Sequence, residues 1–125
     1  MSIIYDLTTS IAEEIAGASP EVHVTIDAAT IRPALAAGKT VAWVGAPQDI
    51  TLDAPGGGVA DYQIALISPK TANHPEGLDD LAALALTLEP TLGITRLTPD
   101  TATPGNGPTY PAMFATFEIR FDTKE

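Results

Sequence analysis

The chain has 125 residues, and its 16 Asp and Glu outnumber its 6 Lys and Arg, which gives a formal net charge of −10 at pH 7. It contains no cysteine, which excludes thiolate nucleophiles, zinc ribbons, iron–sulfur clusters and disulfide frameworks. The acidic balance argues against a free-standing nucleic-acid binder, because affinity for phosphate backbones comes mostly from Lys and Arg. No apolar run approaches the ~20 residues of a membrane span. We therefore expect one domain over 1–125, made in the cytoplasm and without a membrane partner.

The first predicted element is a helix that ends near Gly17 and Pro20. Its apolar stripe recurs every four residues, as is typical of an amphipathic helix, at Ile3, Leu7, Ile11 and Ile15. Residues 22–26 then alternate between apolar and polar, which predicts a half-buried strand. The stretch 27–40 suggests a turn of helix, although Pro33 and Gly38 interrupt it.

Two short strands are predicted next, at 41–44 and 49–53, with a turn at 45–48 that allows them to pair as a hairpin. The glycines 56–58 follow as a flexible break. Residues 61–67 are apolar on nearly both faces and predict a central strand.

A second helix is predicted from Pro75, which suits the first helical position. Its buried face is Leu78, Leu81, Leu84 or Ala85, and Leu88, and Pro90 with Gly93 is expected to stop it. A short strand at 94–98 follows, and then a proline-rich loop.

The closing strand shows the clearest alternation, because Met113, Ala115 and Phe117 face one side while Thr116 and Glu118 face the other. Strands that follow one another without helices between them predict an α+β fold. We expect a mostly antiparallel sheet with two main helices packed on one face, and extended loops near 45–58 and 99–111.

Several residue patterns invite a chemical interpretation, and each has a plainer one. Gly38-Lys39-Thr40 resembles the end of a phosphate loop, but the position that needs the first glycine holds Pro33. His23 and His74 lack any metal-ligand spacing, so surface or capping roles are favoured. The acidic pairs 13–14 and 79–80 are typical of solvated helix faces.

Asp49 and Asp53 lie on one face of the same predicted strand, which makes Ca²⁺ or Mg²⁺ conceivable there. The sequence offers no further cluster of oxygen ligands beside them. No catalytic constellation, cofactor site or metal site is therefore predicted, and we expect a protein that is not an enzyme.

Surfaces and assembly remain as the expected function, since long structureless loops in a compact domain tend to be functional. Trp43, Tyr62 and Tyr110 are the candidate contact aromatics. Each is equally well a core residue, and for Trp43 the core is the better interpretation. The candidate interface residues are Asp49, Asp53, Pro104, Pro108 and Tyr110.

The element order, closed by Tyr110-Pro111-Ala112-Met113-Phe114-Ala115-Thr116-Phe117-Glu118-Ile119-Arg120-Phe121, resembles the small tail terminator proteins of long-tailed bacteriophages. That resemblance covers nearly the whole chain through element order and length. It implies a homo-hexameric ring, assembled in the host cytoplasm, at the head-proximal end of the virion tail. The ring would cap the tube of tail tube protein, stop its polymerisation and offer a docking surface to the head–tail connector protein. DNA would only pass through it.

Two other functions stay open. A neck or head–tail connector, or a minor tail protein, would share this composition and differ in what it binds. A small-ligand-binding or enzymatic domain could assemble its site from scattered residues, and a pocket with a buried carboxylate of raised pKa would favour it.

Overall fold

A computed structural model describes residues 3–53, 56–71, 74–104 and 108–122. Within these ranges the chain forms three α-helices and six strands. In chain order they are α1 (Ile3–Ala18), β1 (His23–Thr25), α2 (Ile31–Ala36), β2 (Val41–Val44), β3 (Asp49–Asp53), β4 (Gly57–Ile67), α3 (His74–Leu92), β5 (Arg96–Ala102) and β6 (Tyr110–Asp122). A 3-10 turn over Ala28–Thr30 leads into α2.

All six strands belong to one sheet of order β1-β2-β4-β6-β5, in which β3 also pairs with β4. β1 and β2 are parallel, and the other pairs are antiparallel. The predicted α+β class with a mostly antiparallel sheet is confirmed. Two connections within the described ranges cross over: α2 joins the parallel neighbours β1 and β2, and α3 joins β4 to β5, which lie parallel on either side of β6.

The predicted hairpin between β2 and β3 is wrong, although both strands exist. β2 pairs with 64–67 of β4, whereas β3 pairs with 57–61 of the same strand. The two therefore lie end to end along one edge of β4, which has 11 residues and can accommodate both. The hairpin in this region joins β3 to β4, and Gly57 and Gly58 of the predicted flexible break are part of β4.

Helices α1 and α3 cover one face of the sheet, as predicted, and we call it the helix-covered face. The largest side chains of this core are fully buried: Ile15, Tyr62, Ile64, Leu66, Leu81, Leu88 and Phe117. Burial of each large apolar side chain stabilises the fold by roughly 1.5–3 kcal/mol. On α3 the buried position is Ala85, at 1% exposure, while Leu84 is half-buried.

Pro90 does not stop α3, which continues to Leu92. The proline lacks the N–H that would bond to the carbonyl of Leu86, and the Leu86 side chain is 70% exposed. Water can reach this side of the helix, so the lost backbone bond is tolerated in the last turn. Gly93 ends the helix at φ +73°, and its N–H donates to the Glu89 carbonyl at 2.7 Å.

The opposite face, which we call the α2 face, carries a smaller core. Ile31, Ala34 and Leu35 of α2 pack there on the C-terminal end of β4 and the start of β6. The sheet residues of this cluster are Val41, Ala65, Ile67, Tyr110 and Ala112.

The two predicted extended loops are shorter than expected. Residues 49–53 and 57–58 of the first are strand, and β5 extends to Ala102 while β6 begins at Tyr110. Pro99 lies on the outer strand β5, where a missing N–H need not interrupt a ladder.

Candidate interaction surface

One end of the sheet lies at the margin of the larger buried cluster, which reaches Ala60, and we call it the hairpin end. It consists of β3, residues 57–61 of β4 and residues 118–122 of β6, which pair in that order. Neither cluster includes a residue of β3. The two outward faces of this end differ in chemistry.

The helix-covered face of the hairpin end is apolar. Ile50 lies opposite Ala60 and Leu52 opposite Gly58, and their side chains are 39% and 78% exposed. A Cβ placed on Gly58 would lie 2.9 Å from Cζ of Phe121, so the glycine lets that ring rest against β4. This apolar strip continues the core outwards to the exposed Leu52.

The α2 face of the hairpin end carries several acidic residues and one cation, Arg120. Asp49 pairs with Asp61, and Asp61 pairs with Glu118, so three carboxylates lie in one row across three strands. Cβ atoms of directly paired residues are about 4.5–5.5 Å apart, and like charges at that spacing repel each other. Asp49 Oδ1 accepts a hydrogen bond from its neighbour's N–H, that of Ile50, at 2.9 Å.

The predicted interface residues are not brought together. Asp49 is exposed, whereas the side chain of Asp53 lies outside the described ones, so its shared face with Asp49 stays a prediction. Pro104 is half-buried and Pro108 exposed, at the far end of the sheet, on either side of residues 105–107, which the structure does not describe.

Tyr110 is corrected from contact residue to core residue. It is only 6% exposed and packs in the cluster beneath α2. The strand alternation puts it on the α2 face beside Ala112, where Leu35 helps to cover it. The sequence contained a signal for this, since the apolar stripe of α2 has to cover some part of the sheet.

The other two candidate aromatics also lie in or against the core. Tyr62 is fully buried and stacks on Phe117, with ring centroids 5.9 Å apart. Its hydroxyl lies 2.9 Å from Oγ1 of Thr8. Trp43 is half-buried against the cluster of α2, as expected, and its buried Nε1 has no hydrogen-bond partner in the described part of the chain.

Lys70 was not singled out from the sequence, yet it makes two ion pairs, with Asp80 at 2.7 Å and Glu76 at 2.9 Å. The hydrogen bonds that Lys70 Nζ donates to Asp80 and, second in effect, to Glu76 raise the pKa of Lys70 above that of an ordinary lysine. Glu76 and Asp80 are four residues apart and share one side of α3, a spacing that favours a cation between them. The acidic pair 79–80 therefore includes one residue with a structural role.

The remaining candidate motifs take plain structural roles. Gly38-Lys39-Thr40 leads from a helix into a strand, whereas a phosphate loop leads from a strand into a helix. Gly38 has φ +82° at the end of α2. His23 Nε2 lies 3.1 Å from the Thr30 hydroxyl, and His74 begins α3.

Surface hollows offer little chemistry. A cavity of about 330 Å³ beside the end of α1 is lined partly by Glu21 and Asp80, and Asp80 is paired with Lys70. Among the described residues, no group of three or more His, Cys, Asp or Glu is arranged to hold a metal ion. No helix in the described ranges is long and apolar enough to cross a bilayer.

In comparisons with known proteins, no family model matches this sequence and no curated protein matches it closely enough to indicate kinship.

Proposed function

We propose that this chain is a phage virion structural protein, a tail terminator at the head-proximal end of the tail. In that role it forms a ring that caps the tail tube, stops its polymerisation and offers a surface to the head–tail connector. The observation that carries the proposal is the hairpin end, where Leu52 and Ile50 are exposed beyond the helices. Exposed apolar surface rimmed by charge is typical of protein–protein contact sites.

The element order supports the same proposal. The chain forms a long helix, a set of strands, a second long helix and two closing strands. This is the element order on which the resemblance to the tail terminators was based. A ring also needs heterologous contacts, in which one patch meets a different patch of the next copy. The hairpin end and α2 lie at opposite ends of β4, so the chain has two different surfaces to offer.

The net charge of −10 per chain fits a channel through which DNA passes. A negative lumen repels phosphate and keeps the cargo from binding. Imaging of the assembled ring tests this hypothesis, because an inner surface dominated by Lys and Arg would contradict it.

A neck connector or minor tail protein is the second candidate, because the exposed apolar strip at Leu52 would serve those roles equally well. Only the partner differs, so the phenotype of a deletion separates the candidates.

The test is deletion of the gene in the phage or prophage that carries it, followed by negative-stain electron microscopy of the lysate. We expect overlong tubes beside filled heads without tails, and normal particles when the intact gene is supplied again. Tails of normal length that remain unattached would assign the neck role instead. Intact infectious particles would overturn a virion role, and a small ligand would then have to be sought.

A further inference from the structure

We infer that two copies of the chain pair through one edge of their sheets, with β3 of each copy beside β1 of the other. The occupant of this edge is therefore a second copy of the chain. The contact is separate from the ring proposed above, which needs two different surfaces. Three observations carry the inference: where the sheet has open backbone groups, which way β1 and β3 run, and which face their apolar side chains share.

The far edge of the sheet, on β5, is closed to further pairing. The N–H of Thr101 donates to Oδ1 of Asp100 at 2.8 Å, so it points away from β6 and is already satisfied. Backbone groups alternate in direction along a strand. Pro99, two residues earlier, therefore faces outwards too, and it has no N–H to offer. Devices of this kind protect an edge strand from pairing.

The outer edge of β1 is open. The N–H of His23 donates to the Thr40 carbonyl at 2.9 Å, so the backbone groups of His23 and Thr25 face β2. Those of Val24, between them, face outwards. Among the described residues, no hydrogen bond engages the N–H of Val24.

The outer edge of β3 is open at one position. The N–H of Ile50 donates to Oδ1 of Asp49 at 2.9 Å, so Ile50 faces outwards but its donor is taken. Leu52, two residues further on, faces outwards as well. No hydrogen bond within the described part of the chain engages its N–H, and its side chain is 78% exposed. Leu52 is thus where another strand can exchange both backbone bonds with β3.

A two-fold axis lets β1 and β3 serve each other. β1 is parallel to β2, and β2 and β3 are both antiparallel to β4 along the same edge, so β1 and β3 run in one direction. A two-fold rotation about an axis perpendicular to the sheet reverses the strands and keeps each face on its own side. β1 lies one strand further out than β3, so it fits beside β3 of the other copy as an antiparallel neighbour. Both contacts form at once.

The apolar side chains of the two strands then share one face. Val24 packs against the larger core cluster, and Leu52 and Ile50 lie on the same helix-covered face. Pairing Leu52 with Val24 of the other copy sets Ile50 opposite Ile26, and these two side chains are 39% and 41% exposed. Main-chain bonds give such a contact its affinity, and the alternate side chains give it specificity.

A hollow beside β1 can receive the Leu52 side chain of the other copy. It has a volume of about 360 Å³ and lies between α1 and the strand, where its lining includes Ala12, Glu13, Ala16, Val24 and Ile26. Leu52 is opposite Val24 in this pairing and therefore enters the hollow from its open side. An exposed leucine thus gains apolar cover that its own chain does not provide.

Charge does not select this contact and weakly opposes it. The pairing brings Asp49 towards Asp27 of the other copy, and Glu13 lies at the hollow on the opposite face. Asp49 and Asp27 each accept a hydrogen bond from a backbone N–H of their own chain and keep their charge. Salt screens such repulsion, so the dimer should tighten as NaCl is added. A dimer that dissociates with salt would contradict the inference.

Cross-linking tests the pairing directly, because the chain has no natural cysteine. Directly opposed residues have Cα atoms about 5.5 Å apart, a separation that a disulfide spans. Oxidation of mixed Ile50→Cys and Ile26→Cys should give a covalent dimer, while each variant alone stays monomeric. The chain with both substitutions should give the same dimer and nothing larger, because the contact is closed. Leu86→Cys, exposed on α3, is the control and should form no dimer with Ile26→Cys.

Three outcomes of this experiment would overturn the inference. Dimers of Ile50→Cys or Ile26→Cys alone would show a different pairing. A ladder of oligomers from the double variant would show head-to-tail association. A mixture that gives no more dimer than the Leu86→Cys control would show that the two strands do not meet.

Sedimentation provides the second test. The wild type should form dimers, and Leu52→Asp should weaken them by ~100-fold or more, because each dimer loses two buried leucines. Leu86→Asp, the matched control, should dimerise like the wild type. Melting temperatures of dilute samples close to that of the wild type show that both variants fold.

A wild type that stays monomeric at the highest concentration attainable would overturn the inference and leave the edge to a strand of another protein. Dimers that Leu52→Asp does not weaken would overturn it as well. In either case, overlong tubes in the deletion would still support the proposed function.

Discussion

The two ends of the sheet follow different physical rules. At the end that holds the larger core cluster, on the helix-covered face, side chains such as Tyr62 and Leu81 are completely buried between α1, α3 and the strands. At the hairpin end, the same strands continue with the same alternation, but Leu52 is 78% exposed and carboxylates line the reverse face. The first end holds the fold together. The second presents the apolar side chains of Leu52 and Ile50 to solvent.

This difference teaches that alternation alone does not distinguish core from contact surface. Phe117 and Phe121 occupy equivalent positions four residues apart on β6, yet only Phe117 is fully buried. Phe121 is half-buried at the margin of the larger core cluster, whereas Phe117 belongs to the cluster itself. Substitutions at the two ends should therefore change different measured quantities.

The largest expected effect is from Leu81→Ala in the covered core. Removal of this fully buried side chain leaves a cavity, and we expect it to lower the free energy of unfolding by about 2–5 kcal/mol. Leu52→Ala removes the same atoms from an exposed site and should change that energy by less than ~0.5 kcal/mol. Urea unfolding of both variants measures this. Equal losses of unfolding free energy in the two variants would contradict the difference between the two ends.

The next effect concerns the contact between α3 and β6. A Cβ on Gly77 would lie 2.5 Å from Cγ of the buried Pro111, so Gly77→Ala should push the helix from the strand and cost about 1–3 kcal/mol. Gly17 on α1 has no atom within 4 Å of an added Cβ. Gly17→Ala should instead stabilise the chain by about 0.5–1 kcal/mol through helix propensity. Thermal melts of the two variants measure whether each substitution stabilises or destabilises the chain. Destabilisation by both Gly77→Ala and Gly17→Ala would contradict this explanation.

A third prediction concerns the hydrogen bond beneath α1. Thr8 Oγ1 donates to the Ile4 carbonyl at 2.8 Å, so the Tyr62 hydroxyl must be the donor in its 2.9 Å bond to Thr8. Thr8→Val leaves that buried hydroxyl unpaired and should cost about 1–3 kcal/mol. Adding Tyr62→Phe removes the unpaired group, so the double variant should be more stable than Thr8→Val alone. Chemical denaturation measures the stability of both variants. A double variant that is less stable than Thr8→Val would contradict the assignment of the Tyr62 hydroxyl as the donor.

The smallest effect is expected at Lys70, whose two ion pairs are exposed to solvent. Lys70→Met should change the urea midpoint only slightly at neutral pH, because water and salt screen such pairs. The raised pKa of Lys70 fixes the direction with pH. Its contribution is complete below the ordinary lysine pKa and is lost as the pH rises through the raised value. The difference between wild type and variant should therefore close in strongly alkaline solution, and a difference that widens there would be inconsistent with it.

The sequence predicted the elements whose pattern is local. The four-residue spacing of α1 and the alternation of β6 each reflect one buried face, and both are confirmed. The pairing of β2 and β3 could not be predicted in the same way, because neighbours in sequence favour a hairpin. β4 is instead long enough for both strands to pair with it along one edge. Contacts between distant segments decided this, and they leave no local pattern.

The candidate surface was predicted only in part. Asp49 was predicted to lie on a strand, which β3 confirms, and its place in an interface stays a prediction, but its row with Asp61 and Glu118 depends on the register of three strands. Tyr110 was misplaced because its cover, α2, was only weakly indicated around Pro33. The charge of single residues was thus accessible from the sequence, whereas their burial beneath α2 and their alignment across the sheet were not.

The most direct test of the central claim is complementation of the gene deletion with Leu52→Asp, scored by tail length in negative-stain images. The substitution puts charge on the exposed apolar strip and should leave the melting temperature of the purified protein nearly unchanged. If the hairpin end makes the contacts that terminate the tube, the complemented lysate will still contain overlong tubes and heads without tails. Tails of normal length joined to heads would show that the hairpin end is not the functional surface.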